Sequence, residues 1–345
     1  MGDAVTAPVV VNGAFRSQRV TGQQRYAREI ADRLTTLGAF REVVPTGRWA
    51  SSASREWLWT LTQLPRVSGS GMVSLTSRAP VSKRQVLTVH DLFVLTNPEW
   101  YSRGYVATHA PVLRAQLGTA SAVVAVSDPI ARDVQARFGG EIAVAPNAPS
   151  EVFTARPQDD LEAAVATLGL QVDSFLLCVG SLEPRKNLSR IVQAYAALPA
   201  SARSRYPLVL AGGSADIYRS ADLPSVDGVV TTGYVSDDVL RMLYRASTAV
   251  VFASLAEGFG LPLVEAAAAG ARHLVISDLP VFRWICGDGA WYVNPVQEAA
   301  ITEGLRAAID GRVPTLTVDL QRFTWEQSAA TVAQLATRCV GEKGT

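Results

Sequence analysis

Short apolar runs alternate with longer amphipathic stretches along this chain, and the alternation predicts an α/β fold. In the first half, runs rich in Val, Ile and Ala predict strands at residues 8–11, 85–89, 122–126 and 142–145. Helices are expected over residues 21–37 and from Ser127 or Asp128, as N-cap, to about residue 138. This alternation of strands and helices indicates parallel sheets covered by helices.

The second half alternates more regularly. Strands are predicted at residues 175–179, 208–211, 229–231, 249–252 and 273–276. Helical stretches follow from Asn187, Ser236 and Pro262, and residues 325–340 are expected to form a last helix. Residues 148–172 read as a linker with a short helix.

Length and charge both indicate two domains. A chain of 345 residues exceeds what one hydrophobic core usually serves. Residues 1–150 hold 16 Lys and Arg against 10 Asp and Glu, whereas residues 151–345 hold 16 against 21. This asymmetry supports a boundary near residue 150 and gives the first half affinity for an anionic partner, unless its arginines form an ordinary solvated surface.

Several classes of protein are disfavoured. No run of 18 apolar residues and no signal-peptide pattern occurs, and the three cysteines read as free thiols, so a cytoplasmic protein is expected. G-x-G-x-x-G and G-x-S-x-G are absent, and no nucleic-acid-binding motif matches.

The stretch from Glu257 to Glu265 carries the most chemistry. A strand, a Gly-Phe-Gly turn and a helix opening at Pro262 and ending at Gly270 are predicted in succession. The backbone N–H groups of residues 258–261 would face outward at the positive end of the helix dipole, which favours a diphosphate. Glu265 would lie roughly 5 Å deeper than the turn, by helical rise. Solvated glutamates are the alternative, but the apolar neighbours of Glu265 make a partner necessary.

This stretch resembles the E-x7-E signature of the retaining glycosyltransferases of family 4. Three further motifs match in the same order: Pro146-Asn147, the run from Cys178 to Asn187, and the run from Thr232 to Asp238. The resemblance covers nearly the whole chain and implies the GT-B fold, two Rossmann-like domains facing each other across a cleft. Expected bounds are 1–150 for an acceptor-binding domain, 151–324 for a nucleotide-sugar-binding domain, and 325–345 for a helix that returns to the first domain.

The resemblance also assigns roles to residues. Arg185 and Lys186 would hold the diphosphate, Glu257 would contact the transferred sugar, and His90 would reach the donor sugar. These four form the predicted catalytic set. The predicted donor-binding residues are Gly22, Tyr234, Val235, Gly258, Phe259, Gly260, Leu261 and Glu265, with Glu265 on the ribose and Tyr234 beside the base. Tyr234 as plain core and His90 as a satisfied polar residue are the alternatives.

No metal or other cofactor is expected. The histidines and cysteines lack metal-ligand spacing. Asp237-Asp238 is expected to start a helix, and Asp159-Asp160 to lie solvated in the linker. In the resembled family the departing phosphate is usually proposed to take the acceptor proton on the same face of the sugar.

The implied function is transfer of a hexosyl group, with retention, from a nucleotide diphosphate sugar to a glycan or lipid-linked glycan in surface polysaccharide synthesis. The loop Thr21-Gly22-Gln23-Gln24-Arg25-Tyr26 is most similar to mannosyltransferases of the family, which favours GDP-mannose. Arg48-Trp49 and Arg55 to Trp59 suit peripheral contact with an anionic membrane, or else tryptophans packed in the core.

Other functions stay open. A UDP- or dTDP-sugar donor with a small-molecule acceptor is one alternative within the class. A catalytically silent nucleotide-sugar-binding protein is the alternative of another class. A sugar-nucleotide epimerase would require a different set of carboxylates and histidines, and a phosphorylase would require a lysine for pyridoxal phosphate.

Overall fold

The chain forms two compact units. The computed structural model describes residues 8–18, 20–69, 71–155, 161–180, 183–212 and 224–341. The first unit comprises Met1–Asn147 with Phe323–Thr345, and the second comprises Ala148–Arg322. The sequence analysis set these limits at 150/151 and 324/325.

Strands and helices alternate along the described ranges. The strands are β1 (Val9–Asn12), β2 (Phe40–Val43), β3 (Met72–Ser74), β4 (Gln85–Val89), β5 (Ala122–Ala125), β6 (Ile142–Val144), β7 (Leu176–Val179), β8 (Leu208–Ala211), β9 (Val229–Gly233), β10 (Ala249–Phe252), β11 (Leu274–Ser277) and β12 (Trp291–Val293). The α-helices are α1 (Gly22–Thr36), α2 (Ala53–Thr62), α3 (Leu64–Val67), α4 (Phe93–Thr96), α5 (Arg103–Thr119), α6 (Asp128–Phe138), α7 (Glu151–Thr154), α8 (Leu161–Ala166), α9 (Leu188–Ala196), α10 (Ala200–Arg205), α11 (Asp237–Ala246), α12 (Leu261–Ala269), α13 (Pro280–Cys286), α14 (Glu298–Ile309) and α15 (Trp325–Ala336).

The first unit is built on a parallel sheet of order β2-β1-β3-β4-β5-β6. Its four inner strands are buried along their whole length, as in parallel sheets covered on both faces. Helix α15 packs on α1, and Arg33 of α1 binds Glu326 of α15 at 2.8 Å. The chain runs from β1 outward to β2 and then returns to β3 on the other side of β1, so its direction changes between β1 and β3.

The second unit repeats this plan. Its parallel sheet has the order β12-β11-β10-β7-β8-β9. The chain begins at the central strand β7, runs outward to β9, and returns to β10 beside β7, where Leu176 faces Ala249 in the register. The predicted α/β class is therefore confirmed in both units. Ligands of such folds bind beyond the carboxyl ends of the strands, where the strand order changes direction.

The sequence analysis did not predict three of the strands. Edge strand β2 reads Phe-Arg-Glu-Val, and β3 and the edge strand β12 have only three residues each. Arg41 and Glu42 interrupt the apolar run of β2, and the short runs of β3 and β12 lie close to Gly71 and Gly289, a pattern that favours a loop.

The tryptophans of the first unit are packed in different ways. Trp59 of α2 is buried in a cluster with Val10, Leu64 and Met72, which confirms the core interpretation for this residue. Trp49 packs against that cluster, and Trp57 stacks on His109 with ring centroids 5.7 Å apart. No helix within the described ranges is long and apolar enough to cross a membrane.

Two glycines bring β7 and β8 together at their carboxyl ends. Gly180 donates its N–H to the Ala211 carbonyl at 3.0 Å, and a Cβ on Gly212 would lie 2.0 Å from the Gly180 oxygen. The stem of Lys186 lies 3.5 Å from the Cβ position of Gly180. The Lys186 side chain therefore lies next to the Gly180 backbone, where a larger residue would contact it.

We predict that Gly212→Ala lowers the free energy of unfolding by roughly 2 kcal/mol or more, because its methyl group must displace backbone. Urea unfolding of the variant and the parent measures the loss. Gly118→Ala in α5 is the control, since among the described residues no atom beyond its chain neighbours and its own helix backbone lies within 4 Å of its Cβ position. It should be neutral or stabilising by up to about 1 kcal/mol. Equal stability of Gly212→Ala and the parent would contradict the steric argument.

Candidate functional site

The candidate site of the second unit lies where β7 and β10 end side by side. After β7 the chain makes a 3₁₀ turn, Pro184–Lys186, that enters α9 through Asn187. After β10 a loop carries Glu257 and leads into α12. The Leu255 N–H donates to the Arg185 carbonyl at 2.8 Å, so the two segments are joined through their backbones.

Three predicted catalytic residues form one ion cluster beyond these strand ends. The Glu257 carboxylate accepts from Arg185 Nη1 at 2.5 Å through Oε2 and from Lys186 Nζ at 2.7 Å through Oε1. Arg185 also binds Glu183 Oε2 at 3.1 Å and the Ala256 carbonyl at 3.1 Å. The cluster thus holds two cations and two carboxylates, and Glu183 is a member that the sequence analysis did not identify.

The ionisation of Glu257 follows from these contacts. Burial of the carboxylate tends to raise its pKa, but the charges of Lys186 and Arg185 outweigh burial and lower the pKa to about 2. Glu257 is therefore an anion at neutral pH and pairs with both cations.

Asn187 fixes the backbone that presents the two cations. It is buried in the left-handed conformation (φ 60°), and its Nδ2 donates to the carbonyls of Ala253 at 2.9 Å and Pro295 at 2.8 Å. Asparagine tolerates this conformation better than most residues. The sequence indicated only a helix start at Asn187, because contacts to residues so distant in the chain leave no local signal.

The predicted diphosphate loop leads into α12 as expected. Helix α12 begins at Leu261, with Pro262 in its first turn and Gly270 as a left-handed C-cap. Gly260 has φ 103°, and a Cβ there would lie 2.8 Å from the Phe282 ring, so glycine is required. Gly258, Phe259 and Gly260 are buried, and Leu261 is partly exposed at the start of the helix.

Glu265 is buried inside α12, with 7% of its surface exposed. Tyr244 of α11 is also buried, and burial, with the Glu265 charge second, raises the pKa of Tyr244 well above its usual value. The structure thus places Glu265 in the interior rather than on a solvated helix face.

Tyr234 and Val235 follow β9 at the same edge of the sheet. Tyr234 is 80% exposed, so the interpretation as plain core is wrong. Within the described ranges, its side chain has no hydrogen-bond or ring partner, and Val235 is partly buried. An exposed aromatic ring at a strand end suits a planar ligand, and the predicted role beside the base stays a prediction.

Gly22 and His90 belong to the first unit. Gly22 is exposed as the first residue of α1, where Thr21 and Gln24 form a capping box. His90 follows β4, and its Nε2 donates to the Leu75 carbonyl at 3.0 Å, while its ring packs edge-on against Tyr26. In the described part of the chain, His90 Nδ1 has no partner. Burial lowers the pKa of His90 to about 4, so the ring is neutral at pH 7.

We predict that His90 makes the first unit sensitive to mild acid. Its folded pKa lies below the unfolded value, so the neutral ring stabilises the fold above about pH 6.5, and this contribution is lost as the pH falls toward 4. Between pH 7.5 and 5, the parent should lose on the order of 2 kcal/mol more unfolding free energy than His90→Gln. Urea unfolding at the two pH values measures the difference. An identical loss in both proteins would show that His90 titrates normally.

Of the two acidic pairs, Asp237-Asp238 lies at a helix start as expected. Within the described ranges, no group of three or more His, Cys, Asp or Glu side chains is close enough to hold a metal ion. Asp237 and Asp238 lie in the first turn of α11, behind the N-cap Ser236. Asp159-Asp160 lies outside the described residues.

Comparison with known proteins finds one matching family and several relatives. Residues 168–322 match the family described as glycosyl transferases group 1. The chain is 30% identical over 228 residues to the O-antigen chain mannosyltransferase B of Escherichia coli, covering 64% of this chain and 60% of that protein. It is also 30% identical over 263 residues to the serotype-specific mannosyltransferase WbdA of Escherichia coli, covering 70% of this chain and 32% of that protein. The chain therefore spans less than two thirds of each relative.

A solved structure extends the likeness over both units. WaaG, a glycosyltransferase involved in lipopolysaccharide biosynthesis, superposes with a TM-score of 0.69 at 17% identity, over 96% of this chain and 100% of that one. The GT-B class that the resemblance implied is thereby confirmed for the two six-stranded sheets.

Proposed function

We propose that this protein, whose residues 168–322 match the glycosyl transferases group 1 family, transfers a hexosyl group from a nucleotide diphosphate sugar to a glycan or lipid-linked glycan. The observation that carries the proposal is the Arg185–Glu257–Lys186 cluster beside the start of α12. Two cations and a helix N-terminus at a change of strand direction suit a diphosphate.

The cluster supports the chemistry of a leaving diphosphate. The bond between the anomeric carbon and the phosphate oxygen breaks, and a bond from the acceptor oxygen to that carbon forms. In the retaining route that we propose, the departing phosphate takes the acceptor proton on the same face of the sugar. Arg185 and Lys186 would stabilise the charge that develops on this phosphate, which makes a metal ion unnecessary.

GDP-mannose is the proposed donor. Two Escherichia coli relatives, each 30% identical to this chain, are named mannosyltransferases. Both therefore support mannose as the transferred sugar. The name of the first relative refers to the O-antigen chain, which further supports an acceptor in surface polysaccharide synthesis. A UDP- or dTDP-sugar acting on a small molecule is the alternative within the class, and a silent nucleotide-sugar-binding protein is the alternative outside it.

A thermal-shift screen against GDP, UDP, dTDP, ADP and their common sugars tests the function, since a ligand that binds only the folded state raises the melting temperature. We expect a response to GDP and GDP-mannose, and release of GDP when an acceptor glycan is added. A response to UDP or dTDP alone would replace the donor. Binding without any transfer would favour the silent protein, and no binding at all would overturn the proposal.

Two variants separate the roles within the cluster. Lys186→Ala should weaken nucleoside diphosphate binding by roughly 1.5–3 kcal/mol, because a charged hydrogen bond is lost. Glu257→Gln should bind the nucleoside diphosphate as tightly or more tightly, because its carboxylate no longer competes, yet turnover should fall at least about tenfold. Lys83→Ala, an exposed lysine of the first unit, is the control. Equal affinity in Lys186→Ala and Lys83→Ala would remove Lys186 from the site.

The proposal includes contact of the first unit with an anionic membrane, where lipid-linked glycans are assembled. Arg48 and Arg55 are exposed, and Leu58 of α2 is 49% exposed beside them. Exposed arginines around an apolar side chain suit anionic headgroups. We expect the protein to pellet with phosphatidylglycerol vesicles at low salt and to be released by high salt, with phosphatidylcholine vesicles as the control. Failure to pellet at low salt would refute membrane contact.

A further inference from the structure

The first unit has its own change of strand direction, between β1 and β3, and polar side chains converge there. β1 ends at Asn12 and continues into a 3₁₀ turn, Ala14–Ser17, while β3 ends at Ser74 and continues into a loop through Arg78. The buried Asn12 joins the two segments, since its Nδ2 donates to the Arg78 carbonyl at 2.8 Å. Parallel sheets of this strand order bind ligands at this position.

Three side chains form a connected group at this position. Ser17 Oγ donates to Glu56 Oε1 at 2.6 Å, and Arg78 Nη1 donates to Glu56 Oε2 at 3.4 Å. Glu56 lies in the first turn of α2, and only 7% of its side chain is exposed. We call these residues, Ser17, Glu56 and Arg78, the polar triad of the first unit.

The triad combines one buried carboxylate with two side chains that reach the solvent. Ser17 is exposed, and 33% of the Arg78 side chain is exposed. Within the described ranges, Arg78 Nε and Nη2 make no hydrogen bond. Open guanidinium donors therefore lie beside a buried carboxylate whose two oxygens each accept one hydrogen bond within the triad.

The charge of the triad selects the kind of ligand. Glu56 neutralises Arg78, so a phosphate would gain little net attraction and would approach a second, buried anion. A neutral sugar suits the group better. Each sugar hydroxyl both donates and accepts, and neighbouring hydroxyls can accept from Arg78 while donating to the Ser17 oxygen.

We infer that the polar triad binds the vicinal hydroxyls of an uncharged sugar, the acceptor glycan of the reaction. The inference rests on the proposed function for its use in catalysis, but not for binding itself. The proposed donor site shares no residue with the triad. Binding of a sugar at the triad and of a nucleotide at the Arg185 cluster can therefore be measured independently.

The test is titration of the purified full chain with methyl α-D-mannopyranoside, methyl α-D-glucopyranoside and inorganic phosphate, each followed by NMR. We expect the parent to bind a glycoside at millimolar concentration and Arg78→Met to bind it at least several-fold more weakly. Arg114→Met, which removes an exposed arginine of α5, is the matched control and should bind like the parent. The GDP thermal shift should be unchanged in both variants, which confirms that each is folded.

A second variant tests the charge argument. Glu56→Gln keeps the shape of the side chain but leaves Arg78 without its counter-ion, so this variant should gain phosphate binding that the parent lacks. Phosphate binding to the parent would overturn the choice of an uncharged sugar.

Two results would overturn the site itself. One is that Arg78→Met binds the glycoside as the parent does. The other is that the parent binds neither glycoside at tens of millimolar while still responding to a nucleotide, which would leave the proposed function intact. Glycoside binding without any nucleotide response would reject the proposed function and keep the triad.

Discussion

The structure of the candidate site depends on one buried carboxylate that is shared by two cations. Glu257 is held between Arg185 and Lys186 at 2.5 and 2.7 Å, and its anionic form persists because their charges outweigh the effect of burial on its pKa. Breaking a buried pair by removing one partner typically costs about 3–5 kcal/mol, since it leaves an uncompensated charge. The segments that follow β7 and β10 are thus tied together by electrostatics as well as by the Leu255 N–H bond.

This arrangement also constrains how a diphosphate would bind. With Glu183 included, the cluster carries no net charge, so the diphosphate that we propose would compete with a carboxylate for the two cations. Such an exchange substitutes one set of charged hydrogen bonds for another and keeps Arg185 and Lys186 ordered before the ligand arrives. Asn187 contributes to the same order through two buried backbone carbonyls. The cations are therefore preorganised, which reduces the entropy lost on binding.

Sequence patterns predicted what depends on local signals. The strands Gln85–Val89, Leu208–Ala211 and Ala249–Phe252 match the expected ranges because they are short, mainly apolar runs of strand length. Arg185, Lys186 and Glu257 were identified through motif resemblance, but their mutual ion pairing joins residues more than 70 positions apart and has no local signature. The two glutamates that were missed had ordinary local contexts: Glu183 pairs with Arg185 only two residues away, whereas the fold brings Arg78 to Glu56 across 22 positions. For Tyr234 the structure removes only the alternative of a core residue, which was open because aromatic side chains are mostly buried.

The two units share one arrangement of polar side chains at the change in strand direction. In each, a buried asparagine joins the two segments on either side of the change in strand direction: Asn12 donates to the carbonyl of Arg78, and Asn187 to the carbonyl of Ala253. In each, a carboxylate and an arginine then meet beyond the sheet, as Glu56 with Arg78 and as Glu257 with Arg185. The second unit differs from the first in having Lys186, whose positive charge becomes available to a ligand when Glu257 releases it. Because Glu183 makes this cluster neutral as well, net charge alone does not separate the two units; the anionic ligand that we propose for the second unit depends on Lys186 together with the start of α12.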